Sequence, residues 1–170
     1  IKRTFLDPKV SANPDALISI RSADLILVGP GDLYTSILPN LLVSGVADAI
    51  AKSKAKKLYV LNLMTKYGQT TNYSASDHIE DLEKYLGNNV LDIVFVNTRK
   101  PRKEALLWYS DFDEQPVVDD LVSSDTFKLV RQNLIKDTII GKEGGDELKR
   151  SIIRHDPEKL AREVMKPTIA

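Results

Sequence analysis

A buried strand and the turn that follows it are encoded by Ala23-Asp24-Leu25-Ile26-Leu27-Val28-Gly29-Pro30-Gly31-Asp32-Leu33-Tyr34-Thr35-Ser36. The apolar run reads as a strand, and hydroxyl residues open a helix after the glycine turn. Such a junction directs several backbone N–H groups and the positive end of a helix dipole at one point. The stretch therefore predicts a site for a phosphate or diphosphate that needs no cationic side chain.

The turn itself supplies the candidate contacts. Two glycines permit close approach of a ligand to the backbone, and the proline between them stiffens the turn. Asp32 either caps the following helix or holds a metal ion against a diphosphate, and the cap is favoured. The alternative is that this turn is only a tight connection between strand and helix. For the turn taken alone, the two interpretations are about equally supported. The candidate ligand residues in this stretch are Gly29, Pro30, Gly31, Asp32, Leu33, Thr35 and Ser36.

The rest of the chain alternates between strand and helix patterns. Strands are expected at residues 1–6, 25–28, 57–61 and 91–96, and helices from 13 or 15 to 22, then at 37–53 and 76–86. Beyond residue 97 we expect a helix at 104–109, strands at 116–118 and 136–140, a polar loop at 141–147 and a helix at 157–165 capped by Asp156.

This alternation predicts a single α/β domain over residues 1–170, with a mainly parallel sheet covered on both faces. Residues 99–150 form a peripheral segment with a weaker pattern. Because the sequence opens on Ile1 inside a strand-like stretch, we expect a fragment of a longer domain that lacks its amino-terminal strands.

Composition excludes several classes of function. The 170 residues carry 24 basic and 24 acidic side chains, so no overall field favours nucleic acid or an anionic membrane. The sequence has no cysteine, which excludes disulfides and thiolate chemistry and fits a reducing cytoplasm, where we expect the protein to act. No apolar run approaches membrane-spanning length, so we expect no membrane span.

Polar loops follow three consecutive predicted strands. Ligands of open parallel sheets bind outside the carboxyl ends of the strands, so these loops should meet at one crevice. The loop after residues 57–61 is about fourteen residues long, which favours a functional role. Beside the glycine turn, the candidate ligand residues are Asn62, Met64, Thr65, Gly68, Thr70 and Asn97.

Two histidines invite a catalytic interpretation that the sequence does not support. Asp77 or Ser76 is expected to cap a helix, and His78 to line or satisfy the cavity wall, with a catalytic base the less favoured role. A structural role is favoured for His155. No nucleophile and base stand together in sequence, so no catalytic residue is assigned.

Several motifs together resemble a known family. These are the run from Gly29 to Val43, the segment Asn62-Leu63-Met64-Thr65 with Gly68 and Thr70, the pair Asp77-His78, and Arg154-His155-Asp156-Pro157. In order and spacing they resemble the gluconeogenesis-factor branch of the 2-phospho-L-lactate transferase (CofD-like) family. The long first motif is specific, and the shorter ones support it in series.

The resemblance implies a Rossmann-like three-layer fold with a nucleotide site at the carboxyl edge of the sheet. For this branch it implies binding of UDP-sugars such as UDP-N-acetylglucosamine, and a bacterial regulatory role that links carbon metabolism to cell-wall synthesis and cell shape. It does not establish catalysis, so we expect a binding protein rather than an enzyme.

Three departures from the family limit which of its properties can be expected of this sequence. The family's glycine-rich amino-terminal loop and its acidic segment have no counterpart here, so this stretch would hold about half of a pocket. Lys66 and Gln69 stand where the family has glutamine and glutamate, and the loss of a carboxylate weakens the case for metal chemistry. No protein metal ligand is assigned. Residues 99–145 match little of the family.

Three functions are weighed on this basis. The leading hypothesis is a UDP-sugar-binding regulatory protein that contacts no nucleic acid. The enzyme alternative is a transferase that moves a 2-phospholactyl group from a guanosine diphosphate-linked donor with Mg²⁺. The third is an interaction module without nucleotide affinity. The sequence leaves open whether the chain forms a homo-oligomer.

Overall fold

The strands form one parallel sheet in the computed structural model, which describes residues 1–122, 125–138 and 151–169. The strands are β1 (Leu25–Val28), β2 (Lys56–Val60), β3 (Ile93–Asn97) and β4 (Lys128–Gln132), and they lie side by side in that order. Each pairs in parallel with the next; Leu27 aligns with Leu58, and Leu58 with Ile93. All carboxyl ends therefore meet at one edge of the sheet.

The sheet is covered on both faces because side chains alternate along its strands. In and just after β2, Tyr59 and Leu61 belong to a core cluster shared with helices, whereas Leu58 and Val60 belong to a second cluster on the opposite face. The central strands are therefore apolar on both sides, and the prediction of an α/β fold with helices on both faces is confirmed.

Helices of the first face precede and follow β2. They are α1 (Pro14–Ser22), α2 (Leu38–Leu41), α3 (Val46–Lys52) and α4 (Ala75–Leu86). The Asn13 side chain accepts a hydrogen bond from the backbone N–H of Asp15 and so caps α1. Helix α4 buries Ile79, Leu82 and Leu86 on one stripe.

The remaining helices are α5 (Lys103–Ser110), after β3, and α6 (Pro157–Ile169). Helix α6 places Leu160 and Val164 against the second core cluster. As predicted, Asp156 caps α6, because its Oδ1 accepts from the backbone N–H of Glu158 and of Lys159 at 3.1 and 3.0 Å.

Two expectations for the first 53 residues are wrong. Residues 1–6 form no strand; Ile1 and Phe5 are 57% and 63% exposed, so these apolar side chains do not mark a buried face. The helix expected at 37–53 is split into α2 and α3, and a π-helical turn (Leu33–Ile37) precedes them. Gly45 adopts a φ of +95° and precedes α3, so the chain changes direction there.

Caps in the middle of the chain also differ from the prediction. Ser74 caps α4, and Asp77 closes a reciprocal capping box with it, so neither Ser76 nor Asp77 is the cap residue. Asp32 precedes the π-helical turn, but its side chain makes no capping hydrogen bond. Its backbone oxygen accepts from Ser36 and Ile37 instead.

In the carboxyl-terminal third of the chain, the observed secondary structure agrees least with the prediction. Strand β4 was not predicted, since only Leu129 and Val130 of its five residues are partly buried hydrophobic side chains. Residues 116–118 form isolated bridges rather than a strand, and Ile135 makes one such bridge to His155. The predicted loop 141–147 and residues 139–140 lie outside the described residues.

No helix in the described ranges is long and apolar enough to cross a membrane.

Candidate functional site

A cavity of about 340 Å³ opens at the carboxyl edge of the sheet. Its wall comes from the turn after β1, the loop after β2, the end of α5 with the segment after it, and the residues before α6. The lining residues are Pro30, Gly31, Asp32, Asn62, Leu63, Met64, Thr65, Lys66, Tyr109, Glu114, Ser151, Ile153, Arg154 and His155. The cavity lies where parallel α/β sheets bind their ligands.

The turn after β1 contributes backbone to the cavity. Gly29 has a φ of +78°, and the Gly29–Pro30 peptide bond is cis. Asn62 fixes the turn from the neighbouring strand end, since its Nδ2 donates to the backbone oxygen of Gly31 at 3.0 Å. The five-residue π-helical turn that follows aligns fewer peptide dipoles than the long helix that was expected, so the dipole contributes less to anion binding.

The long loop after β2 is held by the segment that follows α5. Thr65 donates its backbone N–H to the oxygen of Gln115 at 2.7 Å, and its Oγ1 accepts from the N–H of Gln115 at 3.0 Å. Val117 donates to Leu63, and Met64 pairs with Pro116. The loop therefore has a fixed path, which presents Asn62 to Lys66 to the cavity.

A buried carboxylate stands in the cavity wall. The Glu114 side chain is 3% exposed, and its Oε1 lies 3.5 Å from Nζ of Lys66. Lys66 is 31% exposed, so a lysine at the mouth balances an acid deeper in the wall. Close by, the hydroxyl of buried Tyr109 accepts a hydrogen bond from the backbone N–H of Ile153 at 3.3 Å.

The residues before α6 reach the cavity through a short pairing of two segments. Lys136 donates its backbone N–H to the oxygen of Arg154 at 2.9 Å, and Asp156 donates to Leu134 at 2.7 Å. This pairing sets Arg154 and His155 in the wall. Burial lowers the pKa of His155 to about 4, although a hydrogen bond to the backbone of Leu61 opposes the shift, so the imidazole is neutral near pH 7.

The cavity brings together six of the residues predicted to bind a ligand, namely Pro30, Gly31, Asp32, Asn62, Met64 and Thr65. Gly29, Leu33, Thr35 and Ser36 do not line it: Leu33 is buried, and Thr35 and Ser36 are exposed. Gly29 and Ser36 line a different cavity, also of about 340 Å³, to which Pro30 and Gly31 contribute as well.

The other predicted residues lie elsewhere. Gly68 is exposed at the outer part of the long loop, while Thr70 is buried and accepts a hydrogen bond from the N–H of Lys66 at 2.9 Å. His78 is fully buried; its Nδ1 lies 2.9 Å from the oxygen of Ser74, and burial lowers its pKa. Asn97 lines a neighbouring cavity of about 200 Å³.

A polar cluster links the turn after β1 and the long loop after β2 to helix α4. Asp81 of α4 is 8% exposed and accepts hydrogen bonds from the hydroxyls of Tyr34 and Tyr73. Lys84 lies 2.6 Å from the Asp81 carboxylate. Burial alone would raise the pKa of Asp81, but the hydrogen bonds from Lys84, Tyr34 and Tyr73 outweigh it and lower the pKa. The cluster joins the π-helical turn, the long loop and α4.

The sequence indicated no ligand role for eight of the lining residues, and six of these are polar: Lys66, Tyr109, Glu114, Ser151, Arg154 and His155. Arg154 and His155 were quoted within a motif, and that motif was the available signal for them. Nothing local distinguishes Glu114 from the other acids near it, because its burial depends on contacts formed after folding.

Metal binding has limited support in the wall. Within the described ranges no three histidine, aspartate or glutamate side chains group closely enough to hold a metal ion. Asp32 places one carboxylate beside the glycine turn. One carboxylate with ligand phosphates is a pattern that Mg²⁺ accepts.

Comparison with known proteins assigns the family. The model of the 2-phospho-L-lactate transferase CofD family matches residues 1–135. The chain belongs to the CofD family. Within that family, the relatives it resembles carry the name gluconeogenesis factor, so the predicted branch is confirmed.

Two relatives show the extent of the match within this branch of the CofD family. A Thermotoga maritima protein with "gluconeogenesis factor" in its name is 47% identical over 156 residues, which are 92% of this chain and 48% of that protein. The gluconeogenesis factor of Bacillus subtilis is 38% identical over 162 residues, or 95% and 48% respectively. The chain thus spans about half the length of the curated relatives it matches.

A solved structure agrees with the fold. A UPF0052-family protein from Bacillus halodurans superposes with a TM-score of 0.83 at 31% identity, and the match covers 98% of this chain and 50% of that one. The CofD-family arrangement of parallel strands and helices is therefore shared with an experimental structure.

Proposed function

We propose that this chain provides part of the nucleotide-sugar site of a gluconeogenesis-factor-type regulatory protein. The ligand is a UDP-sugar such as UDP-N-acetylglucosamine, bound in the cavity at the carboxyl edge of the sheet. The single observation that carries the proposal is that cavity, which a glycine turn, a polar loop and Arg154 line together.

The wall suits a phosphorylated polar molecule. Gly31 presents only backbone to the cavity, and Arg154 and Lys66 supply cations in the same wall. A guanidinium binds phosphate oxygens through two parallel hydrogen bonds. The volume of about 340 Å³ lies near the lower end of the range for small-molecule sites, roughly 300–1,000 Å³.

In this proposal the protein senses rather than transforms its ligand. It acts in the cytoplasm and couples the level of a nucleotide sugar to carbon metabolism, cell-wall synthesis and cell shape. The gluconeogenesis-factor names of the relatives support the metabolic part of this role.

A transferase is the second candidate because the matching family model is that of 2-phospho-L-lactate transferase. Such an enzyme would take a guanosine diphosphate-linked donor with Mg²⁺, and the carboxylate of Asp32, beside the glycine turn, could meet the metal. The preference for a uridine or a guanosine ligand separates the two candidates.

The test is calorimetric titration of UDP-N-acetylglucosamine and of guanosine diphosphate into the natural-length protein, with and without Mg²⁺. Saturable binding of the uridine ligand alone supports the proposal. Preference for the guanosine ligand supports the transferase, and no binding of either supports an interaction module.

A pair of variants then locates the site. Arg154→Gln should weaken binding of UDP-N-acetylglucosamine by about tenfold or more, since a charged hydrogen bond to phosphate is lost. Arg102→Gln is the matched control, because Arg102 is exposed and does not line this cavity. An equal effect of both variants would place the ligand elsewhere.

A further inference from the structure

The wall of the cavity contains a buried group that phosphate cannot use. Glu114 is 5% exposed overall and lines the cavity with its carboxylate paired to Lys66. A carboxylate only accepts hydrogen bonds, and phosphate oxygens also accept, so the two repel each other. A buried carboxylate in a ligand cavity therefore suits a ligand group that donates.

Two other side chains in the same wall have a polar atom without a partner. Asn62 Oδ1 and His155 Nε2 are both enclosed, and neither has a hydrogen-bond partner among the described residues. One N–H of Asn62 Nδ2 donates to the backbone oxygen of Gly31, which fixes the orientation of the amide and leaves Oδ1 as the unpaired acceptor. Buried polar atoms are rarely left unpaired, since each costs about 1–3 kcal/mol.

His155 can act as an acceptor as well. Burial keeps its imidazole neutral near pH 7, and one nitrogen of a neutral imidazole carries a lone pair. Nε2, which has no partner among the described residues, is that nitrogen when Nδ1 carries the proton. Glu114, Asn62 and His155 thus form what we call the acceptor wall.

We propose that the acceptor wall binds the hydroxyl groups of the ligand's ribose or sugar, with Glu114 as the specificity-determining residue, and that the phosphates lie away from it, toward Gly31 and Arg154. This inference rests on the proposed function and adds to it the orientation of the ligand. Paired hydroxyls on a ring match the two oxygens of a carboxylate, as in the acidic residue that holds ribose in dinucleotide folds.

The proposal predicts that one substitution weakens the binding of the nucleotide sugar but not the binding of diphosphate. Glu114→Gln keeps the shape but removes the charge and half of the acceptor capacity. UDP-N-acetylglucosamine should bind about tenfold more weakly, because a site built to hydrogen-bond ligand hydroxyls loses a charged partner. Inorganic diphosphate, measured by its competition with the nucleotide sugar, should bind equally well or more tightly.

Asp113→Asn is the matched control. Asp113 neighbours Glu114, carries the same charge and is exposed outside the cavity, and asparagine tolerates its φ of +54°. This variant should leave both affinities within about twofold of the wild type.

The outcomes separate the inference from the function on which it rests. Equal weakening of both ligands by Glu114→Gln, or no weakening of the nucleotide sugar, overturns the acceptor wall while the proposed function stands. If the natural-length wild type binds no nucleotide sugar, both fail. If diphosphate does not compete even with the wild type, the affinities for the nucleotide sugar decide. Weaker binding by Glu114→Gln than by Asp113→Asn supports the acceptor wall, and equal binding by the two variants overturns it.

Discussion

At the residue scale, His155 shows how the fold changes the chemistry of a side chain. In sequence it stands between an arginine and an aspartate and looks solvated. In the structure Ile135 pairs with it, and burial holds its pKa near 4 instead of the ordinary 6.5. Between about pH 6.5 and pH 4 the folded state therefore keeps this imidazole mostly neutral, whereas the unfolded chain protonates it.

This shift predicts a pH dependence of stability. Between about pH 6.5 and pH 4 the unfolded state binds a proton at His155 that the folded state refuses, so the free energy of unfolding falls as pH falls through this window. The loss from this group between pH 7 and pH 5 should be roughly 2 kcal/mol. Urea denaturation at the two pH values measures it.

His155→Gln supplies the comparison, because glutamine does not titrate. The variant should lose less stability than the wild type over the same interval, while the contribution of His78 remains in both proteins. Parallel losses in the two proteins would show that His155 titrates normally.

At the element scale, the turn after β1 depends on a backbone conformation that side chains resist. Gly29 has a φ of +78°, and a Cβ there would lie 3.1 Å from the backbone oxygen of Val60. That oxygen belongs to a central strand and cannot move without disturbing the sheet. Gly68 has a similar φ of +75° but open space around it.

Alanine at the two glycines should therefore have different effects. Gly68→Ala incurs only the left-handed strain, about 1 kcal/mol, whereas Gly29→Ala adds the contact with Val60 and should cost about 2–3 kcal/mol. Urea denaturation of both variants measures the difference. Equal losses would mean that the turn after β1 accommodates a methyl group without strain.

The elements also show where local pattern succeeds. Helix α4 was predicted within one residue because its apolar stripe is a local signal, although its cap is Ser74 and not the expected Ser76 or Asp77. The helix expected at 37–53 was wrong because the apolar pattern continues across Leu42 to Ser44, while Gly45 redirects the chain. Strand β4 was missed because a sheet-edge strand with exposed side chains lacks the apolar run that marks a buried one.

At the scale of the whole molecule, the cavity is assembled from segments more than 120 residues apart in sequence, from Pro30 to His155. If it is the ligand site, nucleotide-sugar binding should slow amide exchange together at residues 31–32, 62–66 and 151–155. The amides of α4, which does not line the cavity, should change little. Hydrogen–deuterium exchange of the natural-length protein measures this.

The pattern of protection decides the interpretation. Simultaneous protection of the three segments requires one ligand to contact or order all of them. Protection of the glycine turn alone would limit the site to the region that the sequence already indicated, and would remove the loop and the residues before α6 from it.

The sequence by itself determined the family and the parallel α/β class, and it placed the glycine turn and Asn62 to Thr65 at the carboxyl edge of the sheet. These properties follow from apolar periodicity, caps and turn residues, which act over a few positions. Only the tertiary structure decided that Arg154 and His155 line the same cavity as Gly31 and that Glu114 is buried in its wall. Those placements depend on the pairing of residues 134–136 with 154–156 and of 115–117 with 63–65, which joins segments distant in sequence.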